Sequence, residues 1–258
     1  LTALGSLVIF VASDNSYGQE VWRSDGTSAG TYLLKDIRSG ADGSSTYGMV
    51  ECNGAVYFDA DDGALFGQGS YGTELWKTDG TTSGTVLVKD INPGVADSFP
   101  VGMTNANGVL YFQAEDEEHG VELWKSDGTA AGTVLVKDIY PGTEWSDPLD
   151  FAPLGGYLLF AARDASGGRE LWRTAGTATT TVRVMDINPG TGSSNPSLLT
   201  ASNGKVFFSA SNGTAGAEPW VAAFTGTNSP PSKPSLAPTT VAEGAAAGTA
   251  IAAISATD

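Results

Sequence analysis

Short runs in which apolar and polar residues alternate recur down this chain, each closed by a glycine-containing turn. The stretch from Pro100 reads PVGMTNA, Asn-Gly, VLYFQAED, His-Gly, VELWKSDGT and AAGTVLVKDI. Apolar runs rich in β-branched and aromatic residues, bounded by such turns, read as strands. The unit therefore predicts four short strands joined by tight turns. Its second strand recurs as LVIFVA, AVYFDA, VLYFQA, YLLFAA and KVFFSA. Its third carries Trp22, Trp76, Trp124, Trp172 and Trp220, and its fourth reads LLKDI, LVKDI, LVKDI and RVMDI.

The phrase that spans the last two strands fixes the period. Glu20, Glu74, Glu122, Glu170 and Glu218 open successive copies and stand 54, 48, 48 and 48 residues apart. A four-stranded antiparallel unit copied at about this interval predicts the blades of a β-propeller. The fold class expected is therefore all-β, with five repeats visible and the last lacking its outer strand. Blade closure commonly mixes strands from both termini, so the missing strand is expected from sequence before Leu1.

In the third strand, Glu and Trp two residues later share one face. The tryptophans are expected to fill the space between adjacent blades, with a row of exposed sugar-stacking aromatics as the alternative. The Glu is expected to be structural, hydrogen-bonding backbone between blades, with the Lys of KDI a candidate cross-strand partner that Met185 replaces in the fourth copy. Asp25, Asp79 and Asp127 sit in SDGT or TDGT steps and are expected to cap turns, because Asp accepts backbone N–H groups and Gly supplies positive φ. The fourth and fifth copies carry Ala175 and Ala223 there, which argues against a metal role for this Asp.

Composition narrows the choice of partners. The 258 residues hold 13 Lys and Arg against 29 Asp and Glu, a formal charge of −16. Phosphate binding runs on cations, so nucleic acid is excluded, while Ca²⁺ or plain solubility suits the acidity. No apolar stretch is long enough to span a membrane as a helix. The one cysteine, Cys52, excludes an internal disulfide and is read as a buried hydrophobe. The one histidine, His119, excludes a His-cluster zinc site and is read as a solvated loop residue.

After residue 224 the composition changes. Residues 225–234 form a proline-rich linker, and 235–258 read as a truncated β-sandwich-like segment. Its Glu243, Gly248, Thr249 and terminal Asp258 resemble the opening of a cadherin-like domain. That resemblance implies Ca²⁺ ligation by Glu243 and Asp258. Across residues 1–224, ELWKSDGTAAGTVLVKDI resembles the ELWxxDGT repeat of large secreted or cell-surface bacterial proteins. The resemblance implies an extracellular location and further domains upstream and downstream.

These readings favour a non-enzymatic extracellular module for adhesion or structure, presenting loops to a protein or glycan at a cell surface or matrix. One alternative is a propeller-type glycosidase or lyase using loop carboxylates, drawn from Asp59, Asp61 and Asp62, the acids of residues 115–118, and Asp147 and Asp150. Another is a Ca²⁺-dependent structural protein, since Asp59, Asp61 and Asp62 resemble half of an EF-hand loop. Its twelfth position is Ser70 rather than the Glu such a loop uses.

Overall fold

The computed structural model describes residues 1–63, 71–214, 216–223, 234–238 and 252–256. Every regular element among them is a strand. The first sheet holds β1 (Thr2–Leu4), β2 (Leu7–Asp14), β3 (Gly18–Ser24) and β4 (Tyr32–Lys35). The second holds β5 (Tyr47–Cys52), β6 (Ala55–Asp61), β7 (Thr73–Thr78) and β8 (Val86–Lys89). The third holds β9 (Val101–Ala106), β10 (Val109–Asp116), β11 (Gly120–Ser126) and β12 (Val134–Lys137). The fourth holds β13 (Leu149–Leu154), β14 (Tyr157–Asp164), β15 (Gly167–Thr174) and β16 (Val182–Met185). The fifth has three strands, β17 (Ser197–Ser202), β18 (Lys205–Ser211) and β19 (Ala217–Ala223). These are propeller-like blades, each an antiparallel meander in chain order, as the alternation predicts. A separate ladder pairs β20 (Pro234–Pro238) with β21 (Ala252–Ala256).

The chain divides into two compact units, and the boundary falls within β12. One unit is Leu1–Leu135 with Gly142–Glu144, and the other is Val136–Pro141 with Trp145–Asp258. In the first unit the opening strands β1, β5 and β9 lie beside one another. In the second, β13 lies beside β17.

Local sequence explains the meander. Asn53-Gly54, Asn107-Gly108 and Asn203-Gly204 join the first two strands of three sheets, with both residues of each pair at positive φ. Such turns match the right-handed twist of the strands they connect. The central ladder of every sheet then pairs Phe with Trp directly across the strands, at Phe10–Trp22, Phe58–Trp76, Phe112–Trp124, Phe160–Trp172 and Phe208–Trp220. Two residues along, Ala12, Ala60, Ala114, Ala162 and Ala210 face the repeated Glu. The small methyl leaves room on that face for a carboxylate. Packing then joins neighbouring sheets: Val21, Leu34 and Ile37 of the first copy share a core with Phe58 and Trp76 of the second.

The turn after the third strand is built around its Asp. Asp25 Oδ1 accepts the N–H and hydroxyl of Thr27, Asp79 those of Thr81, and Asp127 those of Thr129. These bonds hold the three carboxyls below the ordinary Asp range, the Thr hydroxyl contributing most. The carboxylates occupy the space that a Cβ would need at Gly30, Gly84 and Gly132. In the fourth copy Ala175 replaces the Asp, and Thr180 stands where the others have that Gly. Its Oγ1 accepts the N–H groups of Ala175 and Thr177, each at 3.2 Å. One hydroxyl moved in from the other side of the turn thus replaces the missing carboxylate.

This exchange makes the two positions a coupled pair. Gly84→Thr alone is expected to cost about 2 kcal/mol or more through overlap with Asp79, whereas Asp79→Ala with Gly84→Thr recovers most of that loss. Urea denaturation of both single variants and the double variant measures the coupling, and simple additivity would refute it.

Candidate functional site

The residues that repeat are placed inside. Glu20, Glu74, Glu122 and Glu170 are fully buried. Glu74 accepts the N–H of Ile91 at 2.9 Å, that of Asn92 at 3.4 Å, and the hydroxyl of Ser98 at 2.7 Å. Glu170 takes the equivalent set from Ile187, Asn188 and Ser194, and adds the Ser194 N–H at 2.9 Å. Glu20 accepts from Arg38 N–H and the Ser44 hydroxyl. The fifth copy differs: Glu218 is exposed, in a sheet that has no fourth strand among the described residues.

The serine is the partner that sequence reasoning missed. Ser44 donates its N–H to Gln19 O in β3 and accepts the Asp61 N–H at the end of β6. Ser98 links Thr73 to Glu115 in the same way, and Ser194 links Arg169 to Ser211. Each serine therefore stitches the third strand of one sheet to the second strand of the next. A signal was present: a Ser stands 24 residues after every one of the first four glutamates.

The Lys of KDI does not pair with this Glu. Lys35 Nζ donates to Thr85 O at 3.1 Å and lies 5.2 Å from the centre of the Trp76 ring, both in the following sheet. Lys89 reaches Thr133 O and Trp124, and Lys137 reaches Thr181 O and Trp172. The expected cross-strand ion pair is replaced for a physical reason. Ile and Asn N–H groups already fill the carboxylate, and the ammonium finds the face of a buried Trp ring and a Thr carbonyl in the next sheet instead.

Residues that break the repeat face the other way. Between Phe and Ala of the second strand stand Val11, Asp59, Gln113, Ala161 and Ser209. Only Asp59 is acidic. It is 6% exposed and accepts the Tyr47 N–H at 2.9 Å. Burial pushes its carboxyl above the ordinary Asp range, with the Tyr47 N–H opposing. Asp61, two residues on and on the same face, forms an ion pair with Arg38. Both lie in β6 rather than in a loop. Tyr47 is 65% exposed and, with Gly48, lines a cleft of about 380 Å³ that also meets Phe10, Val11, Gln19 and Thr46. A Cβ on Gly48 would lie 3.7 Å from Asp59 Oδ1, so the carboxylate sits just behind the cleft wall.

The remaining expected sites resolve simply. No group of three or more His, Cys, Asp or Glu among the described residues is placed to hold a metal ion. Glu243 and Asp258 lie outside the described residues. Cys52 is buried, and His119 Nδ1 lies 2.9 Å from Asp116 Oδ2. No helix is long and apolar enough to cross a membrane.

No family model and no curated protein matches this chain. Solved structures similar to it include a prolyl endopeptidase, at 13% identity and a TM-score of 0.46 over 83% of this chain and 33% of that one. A puromycin hydrolase mutant is similar at 13% identity and a TM-score of 0.43, over 79% and 31%. A GH43 glycoside hydrolase is similar at 14% and 0.34, over 97% and 50%. The chain thus spans about a third to a half of these structures, and such likeness fixes neither a substrate nor a site. The three are named as an endopeptidase and two hydrolases, all enzymes, and the expected non-enzymatic adhesion or structural module is corrected on that finding.

The buried glutamate makes stability depend on pH. Desolvation raises Glu74 from 4.5 to about 8, against the opposing bonds from Ser98, Ile91 and Asn92. A carboxyl raised on folding stabilises the fold fully below its unfolded value and loses that contribution as pH climbs through the folded one. Wild-type stability is therefore expected to fall by several kcal/mol between pH 4.5 and about 8. Glu74→Gln, which mimics the protonated group, is expected to flatten that part of a denaturation-versus-pH curve. Parallel curves for the two proteins would contradict the assignment.

Proposed function

We propose that the chain is β-propeller scaffold of a carbohydrate-active enzyme that cleaves glycosidic bonds with carboxylates carried on β6. The observation that carries this reading is Asp59. It is an acid at a position where the other four copies have Val, Gln, Ala or Ser, and it is desolvated behind the wall of a cleft. A general acid must be protonated when substrate arrives, and burial favours that form. The neighbouring Asp61, paired with Arg38, would serve as the base.

Two steps along one strand separate these residues by about 6.6 Å between Cα atoms. An inverting pair needs its carboxyl groups roughly 6.5–9.5 Å apart and a retaining pair about 5–5.5 Å, so the anomeric configuration of the product tells which kind of pair the two residues form. Tyr47 would offer a ring face to the sugar beside them. The ELWxxDGT phrase supports an extracellular or cell-surface location, with the cadherin-like tail opening a further module.

A panel of chromogenic and natural glycosides, assayed from pH 4 to 8, tests the reading. Asp59→Asn is expected to lower kcat by about 100-fold or more with little change in KM. Gln113→Asn, at the equivalent position of the next sheet, should leave turnover intact. If the wild-type protein turns over no glycoside, or if Asp59→Asn stays active, the hydrolytic reading fails.

A further inference from the structure

The last residue or two of each second strand faces the opening of the third across the ladder. The pairs are Ser13–Gln19, Asp61–Thr73, Glu115–Val121, Arg163–Arg169 and Ser211–Ala217. The fourth pair is unlike the rest. Two arginines directly opposite one another repel and weaken the ladder that joins them. This chain has only 13 Lys and Arg in all, so placing two at one register position is a costly use of them.

Their surroundings hold Arg163 in one orientation. Its Nε donates to Trp145 O and lies 3.5 Å from Asp147 Oδ2, and its guanidinium stacks 5.6 Å from the centre of the Tyr140 ring. Arg169 donates Nη1 to Asp147 O, and Asp150 adds a second negative charge near it. Among the described residues, Nη1 and Nη2 of Arg163 have no hydrogen-bond partner, and the side chain is 40% exposed. One guanidinium edge is thus fixed by backbone, and the other is left to solvent.

Beside it stands a second departure from the repeat. Gly43, Asp97 and Ser193 occupy one equivalent position before the first strand of a sheet. There Asp97 accepts the Thr73 N–H and Ser193 the Arg169 N–H. The fourth copy has Trp145 instead, 46% exposed. Its carbonyl holds Arg163 Nε, so an exposed indole and a pre-oriented guanidinium belong to one short segment of this copy.

We propose that Arg163, Arg169 and Trp145 form a binding site for the carboxylate of a uronic acid residue in an acidic oligosaccharide. The free edge of Arg163 takes the carboxylate in a bidentate pair, which a guanidinium fits and an ammonium does not. Trp145 covers the C–H face of the same sugar ring. Arg169 supplies the second positive charge that offsets Asp147 and Asp150. Two arginines against two aspartates leave the site without net charge, so the free guanidinium edge, and not long-range attraction, selects the carboxylate. The site lies wholly in the second unit, and it stands independently of hydrolysis at Asp59.

Titration calorimetry with trigalacturonate tests the proposal, with Trp145 fluorescence as a second readout. Wild-type protein is expected to bind trigalacturonate at least tenfold more tightly than galactotriose or triglutamate, and less tightly as salt rises. Arg163→Gln and Trp145→Ala should each weaken binding tenfold or more, and Arg163→Lys should weaken it while keeping the charge. Asp59→Asn should bind as the wild type does, which separates this site from the hydrolytic one. Thermal melts identify any variant that fails to fold, and Arg163→Lys then carries the test. Absence of trigalacturonate binding, equal binding of galactotriose or triglutamate, or undiminished binding by Arg163→Lys would overturn the proposal.

Discussion

A carboxyl group buried without a cation sets the terms for the rest of this protein. Isolated burial of such a group is costly, and it is tolerated only where hydrogen bonds fill its lone pairs. Glu74 meets that condition with two backbone N–H groups from the end of its own sheet and one hydroxyl from the segment leading to the next. The need to satisfy one side chain therefore fixes where the fourth strand ends and where the following sheet begins. The Ala opposite, the Ser 24 residues later and the Ile-Asn step all follow from that single requirement.

The repeat separates packing from chemistry in a way that any one copy would hide. Positions that recur, such as Glu, Trp, Phe and Ala of the central ladder, are those that hold neighbouring sheets together. Positions that vary lie on the opposite face of the same strands, at residues such as Asp59, or at the ends of those strands, at Arg163 and Arg169. Alternation along a strand makes this possible, because consecutive residues belong to different environments. A new side chain can appear on one face without disturbing the stitching on the other.

Much of the architecture was legible in the sequence because it rests on local rules. Asn-Gly turns, strand alternation and the fixed spacing of the glutamates specify the meanders, their length and the three-stranded fifth sheet. The ties between copies were less so. Lys35 was expected opposite its own Glu and instead reaches Trp76, because contact between sheets depends on stacking geometry that alternation does not encode. The burial of Asp59 was equally hidden. Three nearby acids read as one solvated loop, whereas the register turns Asp59 inward beneath Gly48 and sends Asp61 to Arg38. Charge pattern alone could not tell a desolvated carboxyl from a hydrated one.

Met185 gives the array a weak joint. Three lysines fasten one sheet to the ring and carbonyl of the next, and at the fourth junction a thioether stands where the ammonium would be. Trp220 is left half-buried, its indole turned to Ala210 O within its own sheet. Cooperative units that share fewer ties open at lower free energy. Fraying thereby acquires a direction: the last sheet loosens before those that precede it in the second unit, and a peptidase or a pulling force would find its first purchase there.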